Sequence, residues 1–104
     1  MDAEFQLFFI EATDRAGVVT SISAALASRG VNIDCFAATG FEEQEEGTRG
    51  KFVVIVEADS AYAKVLSRVL SCLEVVYDVR DPIPLNPTDL AKWRRKFSAI
   101  ARED

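Results

Sequence analysis

Apolar residues recur along the first 80 positions with a period that changes several times. Residues 5–12 (FQLFFIEA) are aromatic and branched, and the run is too short for a typical helix, so it predicts a strand. From Val18 the period becomes helical. Val18, Val19, Ile22, Ala25 and Leu26 fall on one side, with Thr20, Ser21, Ser23 and Ser28 mostly on the other, and Gly30 is placed to stop the helix. Residues 31–40 predict a second strand, with Val31, Ile33, Cys35 and Ala37 on one face. Residues 41–50 carry four glutamates and two glycines and read as a solvated hairpin loop or tip. A third strand, strongly apolar, is predicted over 51–58. Asp59 or Ser60 is suited to cap a second helix, whose stripe is Val65, Leu66, Val69, Leu70 and Leu73. A shorter fourth strand follows at 75–79.

The order strand, helix, strand, strand, helix, strand predicts an α+β, ferredoxin-like βαββαβ unit. It should have a four-stranded antiparallel sheet, two helices on one face and an additional C-terminal helix. Right-handed crossovers place the first and third strands, the most apolar ones, in the middle. Residues 1–81 would form this unit. Residues 82–104 would form an extended, proline-marked connector and a third helix, with Asn86 as N-cap, Pro87 at the first helical position and Asp89 in the first turn.

The central strands are apolar on both sides. Phe5, Leu7 and Phe9 oppose Phe8 and Ile10, and Phe52, Val54 and Val56 oppose Val53 and Ile55. Two helices cover only one face. Each large side chain left bare forfeits about 1.5–3 kcal/mol, against a net domain stability of about 5–15 kcal/mol. The second face therefore needs a cover. The candidates are the Leu90, Trp93, Phe97 and Ile100 stripe of the third helix, in its own chain or swapped onto a partner, and a second copy of the sheet.

Composition narrows the chemistry. Of 104 residues 28% are charged, and the net charge is −5, which argues against nucleic acid as a partner. Lys92, Arg94, Arg95, Lys96 and Arg102 are a local exception. They are read as a solvated helix face near the negative end of the helix dipole. No apolar run reaches the roughly 18 residues of a membrane span. The acidic start, with no signal-like segment, leads to an expectation of a cytoplasmic protein. Cys35 and Cys72 lie in apolar-patterned segments and are expected in the core. Histidine is absent, as are a CxxC pair and a phosphate-binding glycine loop. No metal, cofactor or catalytic group is therefore expected. Glu11, Asp14 and Asp34 are the acidic residues most able to cluster, and each is read as solvated.

The most specific local signal is Asp14-Arg15-Ala16-Gly17-Val18-Val19, between the first strand and first helix. Glycine there permits a left-handed turn. The N–H groups that follow lack intrahelical partners and attract an anion such as a carboxylate. Asp14 is placed to receive an ammonium group or to cap the turn, and Asn32 can both donate and accept. Together these suit a zwitterion; separately each has a purely local structural use.

That run, its spacing to Gly30-Val31-Asn32-Ile33, and the βαββαβ order resemble the ACT domain family over residues 5–80. The resemblance implies a non-catalytic regulatory module, a sensor of a small ligand such as an amino acid. It implies a homodimer or higher homo-oligomer, and a partner enzyme or regulator under its control. It implies ligand contacts from Asp14, Arg15, Ala16, Gly17 and Val18, with Asn32 and Ile33 alongside or supplied by the partner copy. Two departures stand out. Ala16 replaces the family's usual proline, and Ala12 stands where serine-binding members carry histidine. The alternative function is a protein–protein assembly module without a ligand.

Overall fold

The computed structural model describes residues 3–13, 17–44 and 47–102. The elements are β1 (Phe5–Thr13), α1 (Val18–Ala27), β2 (Asn32–Gln44), β3 (Gly47–Glu57), α2 (Ser60–Ser71), β4 (Val76–Val79), β5 (Ile83–Leu85) and α3 (Pro87–Arg102). The sheet runs β2-β3-β1-β4 with all pairings antiparallel, so the two most apolar strands are central as expected. On one sheet face Phe8, Ile10, Phe52, Val54 and Val56 pack against Ile22 and Leu26 of α1 and Leu66 and Leu70 of α2.

Local chemistry accounts for the helix starts. Asp59 caps α2 by accepting from the Tyr62 N–H at 2.7 Å, and Asn86 caps α3 by accepting from the Asp89 N–H at 2.8 Å. The α2 stripe differs in part from the expected one. Ala63, Leu66 and Leu70 are buried, Leu73 lies beyond the helix end, and Val65 is 37% exposed. The helical repeat of 3.6 residues carries Val65 off the face that Leu66 and Leu70 bury.

Three further expectations change. The hairpin expected at 41–50 is paired further than a loop would be: Phe41 pairs with Gly50, Glu42 with Arg49 and Glu43 with Thr48, while residues 45 and 46 lie outside the described residues. Lys51 donates to Glu42 at 2.7 Å across the pair, and such cross-strand charge pairs favour strand pairing even where composition suggests a loop. Second, Ile33 and Cys35 do not share a face. A bulge at Asp34 places Ile33 against the helix-side core and Cys35 against the opposite one, and another bulge follows at Thr39. Third, the connector adds a fifth strand. β5 pairs with β1 at Phe5–Leu7, on the same edge where β4 pairs further along. Pro84 is tolerated because this is a sheet edge.

The second sheet face is covered by α3 of the same chain. Leu90 packs on Leu7, Val53 and Ile55, with Phe5, Phe9, Cys35, Leu85, Trp93 and Phe97 around them. The Ile100 side chain lies outside the described residues. Arg94 pins the helix to the bulge. Its Nη2 and Nε donate to the two Asp34 carboxylate oxygens at 2.6 and 3.0 Å, and its guanidinium lies 5.4 Å from the Phe5 ring centre. Among the described residues no helix is long and apolar enough to cross a membrane.

Candidate functional site

The β1–α1 turn carries the most specific sequence signal. Thr13 ends β1, and its N–H donates to the Val75 carbonyl at 2.8 Å. Its Oγ1 is buried and has no hydrogen-bond partner among the described residues. Asp14, Arg15 and Ala16 lie outside the described residues. Gly17 has φ 90°, in the left-handed region that glycine enters without strain, and its carbonyl accepts from the Ser21 N–H at 2.8 Å. Gly17 has no side chain to cap α1, and no acidic residue occupies the first turn. Among the described residues, the N–H groups that open α1 thus face no side-chain acceptor, whereas α2 has Asp59 and α3 has Asn86. Val18 is buried beneath them as part of the helix-side core.

Asn32 and Ile33 are elsewhere in the chain. Asn32 is exposed at the start of β2 and pairs with Glu57, which also pairs with Phe5 at the start of β1. Gly17 follows the opposite end of β1. Phe5 and Thr13 are eight residues apart, about 26 Å at the rise of a strand. Asn32 therefore cannot reach the turn of its own chain. Ile33 is half-buried against the helix-side core.

Glu11 and Asp34 do not converge either. Glu11 lies 3.9 Å from Arg49, and Asp34 is held by Arg94. Hydrogen bonding from Arg94 holds the Asp34 carboxyl below its ordinary pKa, against a smaller opposing effect of burial. Burial, followed by the Asp34 carboxylate at 3.2 Å, pushes the Cys35 thiol up to about 11. Cys72 is not in the core: it follows the last residue of α2 as an exposed C-cap. Among the described residues no three His, Cys, Asp or Glu side chains are grouped to hold a metal. On α3, Arg94 is engaged with Asp34 and Lys96 lies 4.7 Å from the Trp93 ring centre, leaving Lys92 and Arg95 exposed. The Arg102 side chain is outside the described residues.

Sequence reasoning missed a groove between α2 and the β5 edge, lined by Gln6, Ser60, Lys64, Ser67, Arg68 and Asp81. Gln6 was the available signal, a polar residue on the buried side of an apolar strand.

The sequence matches no family model and no curated protein. Solved structures match the fold. The ACT domain of GTP pyrophosphokinase from Chlorobium tepidum superposes with a TM-score of 0.58 at 15% identity, over 79% of this chain and 100% of that one. The chain has an ACT-like fold. The regulatory subunit of aspartate kinase from Thermus thermophilus gives 0.54 at 16% identity, over 89% of this chain and 64% of that one. The 30S ribosomal protein S6 of Thermotoga maritima gives 0.63 at 13% identity, over 91% and 97%. At these identities the likeness is one of architecture, and the ACT-like fold here carries its own C-terminal helix on the second sheet face.

Proposed function

We propose that this ACT-like chain is a non-catalytic regulatory module that binds a small ligand, an amino acid, at the β1–α1 turn. The observation that carries the reading is the start of α1. Gly17 turns left-handed, and the N–H groups after it meet no side-chain acceptor among the described residues. A helix end of this kind attracts a carboxylate. Asp14 is the carboxylate nearest in sequence for the ligand's ammonium group, with Arg15 and Ala16 next to it in the chain. Structural neighbours named as an ACT domain and as a regulatory subunit support the same reading.

The second half of the site comes from another copy. Asn32 is level with Phe5 and Ile33 with Gln6, about 26 and 23 Å from Thr13 by strand rise. A homodimer that brings the β2 start of one copy to the turn of the other would complete the ligand's hydrogen bonds. The sheet face does not drive this association, because α3 already covers it. The edge of β2 is one surface left to pair, and its bulges at Asp34 and Thr39 limit how much of it can. Residues 1–81 are the ligand-reading unit in this proposal, and residues 82–104 its built-in cover. A cytoplasmic setting and a partner enzyme complete the picture. With no histidine, the chain lacks the commonest general base, and in this reading the module acts by binding.

A thermal-shift screen against each amino acid tests this. A ligand at about 100 times its Kd stabilises the native state by about 2.7 kcal/mol, which moves Tm by several degrees in a domain of this size. Asp14→Ala and Asn32→Ala should each abolish the shift. A ligand response unchanged in both variants would place the site elsewhere. No response to any amino acid would favour an assembly module without a ligand.

A further inference from the structure

We infer that the groove between α2 and the β5 edge is a second small-molecule site, built to take a zwitterion independently of the β1–α1 turn. It has a volume of about 530 Å³, within the range of small-ligand sites. Its most buried polar wall is Gln6, only 2% exposed. The Gln6 Nε2 donates to the Ala58 carbonyl at 3.3 Å and lies 3.5 Å from Ser60 Oγ. The amide is thereby held in place on the buried side of β1, and the groove opens against it.

Lys64 and Arg68 are one helical turn apart on α2, and Asp81 stands on the connector segment. Three pairs of opposite charge close elsewhere: Arg94 with Asp34, Lys51 with Glu42 and Arg49 with Glu11. Among the described residues, Lys64, Arg68 and Asp81 form no ion pair, although all three line one groove. Two like charges at this helical spacing repel, so an anion between them is favoured. Arg68 can grip a carboxylate through two parallel hydrogen bonds. Asp81 would then receive the ligand's cationic group, with Ser60 and the Gln6 amide at the polar middle. Pro82 and Pro84 stiffen the connector wall, so little order need be lost on binding.

The groove is separate from the turn. Gln6 and Thr13 are seven residues apart on β1, about 23 Å at strand rise, and none of the groove residues belongs to the turn.

Titration of the isotopically labelled full chain with each amino acid, followed by amide NMR, tests the assignment. Acetate and methylammonium serve as probes carrying one charge each. The expected result is that at least one amino acid moves the Gln6 side-chain amide and the Ser60, Arg68 and Asp81 backbone signals saturably, and that both single-charge probes bind more weakly. Arg68→Gln and Asp81→Asn should each weaken that binding about tenfold or more, the equivalent of one charged hydrogen bond. Asn32→Ala should leave it unchanged. The inference is overturned if no amino acid moves these signals saturably, if acetate binds as tightly as the best amino acid, or if both groove variants bind like the parent chain. A response lost in Asn32→Ala and kept in Arg68→Gln would overturn it while supporting the turn site.

Discussion

Replacing Leu90 with alanine probes the cover on the second sheet face. Leu90 is 7% exposed and packs on Leu7, Val53 and Ile55, all of which are nearly or fully buried. The substitution removes the anchor of α3 and leaves a cavity above the middle of the sheet. Changes of this type cost about 2–5 kcal/mol. Taking about 3 kcal/mol and a urea dependence of about 1.5 kcal/mol per molar, the urea midpoint should fall by about 2 M. The single tryptophan of the chain, Trp93, makes the assay specific. Its ring meets Phe9 edge-on at 6.1 Å and lies 6.4 Å from Phe97, so its fluorescence reports undocking of α3 from the sheet. Fluorescence and far-ultraviolet circular dichroism should give one coincident transition in the parent chain. Val65→Ala, at a partly exposed position on α2, should change stability by only about 0.5 kcal/mol. A Leu90→Ala loss below about 1 kcal/mol would refute the role of Leu90 as the anchor of this cover. So would a tryptophan transition that precedes the dichroism transition in the parent chain, since α3 would then be a separable appendage.

Other residues make separate predictions. Asp34→Asn should lower stability at neutral pH and lose that effect in strong acid. The folded Asp34 carboxyl lies below its ordinary value of 3.8, so its contribution is present above that value and disappears as pH falls through the lowered one. Urea midpoints of both proteins at neutral and acid pH check this. Gly17→Ala should cost about 1–3 kcal/mol through backbone strain alone, because an added Cβ meets nothing within 4 Å. Gly40→Ala, also in open space but at ordinary φ, should be far milder, and thermal melts of the two variants compare them directly. A thiol reagent at mildly alkaline pH should label Cys72 quickly and Cys35 slowly, since Cys35 is half-buried and its thiol is pushed up to about 11. Equal rates would contradict that placement.

The framework of the fold was legible because its signals are local. The period change at Val18, the Asp59 and Asn86 caps, and the doubly apolar strands each follow from a few neighbouring residues. What escaped depends on distant partners. The bulge at Asp34 defeats strict alternation, and nothing near it in sequence announces Arg94, 60 residues away, as its partner. Residues 41–44 look like loop by composition and become strand because Arg49 and Lys51 sit opposite Glu42 or beside it. β5 exists because β4 is too short to fill the edge of β1. The turn motif was visible, yet the separation of Asn32 from Gly17 required the register of β2, β3 and β1. The groove beside α2 joins residues from β1, α2 and the connector, which no spacing in the sequence brings together.

The proposal that one ligand site is shared by two copies is tested most directly by complementation. Gly17→Val disables the turn of a chain and leaves its Asn32 intact; Asn32→Ala does the reverse. Neither variant alone should bind the amino acid found in the screen. Mixed and allowed to exchange, they should regain about a quarter of the parent's sites by calorimetry, because half the dimers are mixed and each carries one intact site. An equimolar mixture that binds no more than the separate variants, with exchange confirmed by mass spectrometry, would contradict the shared site.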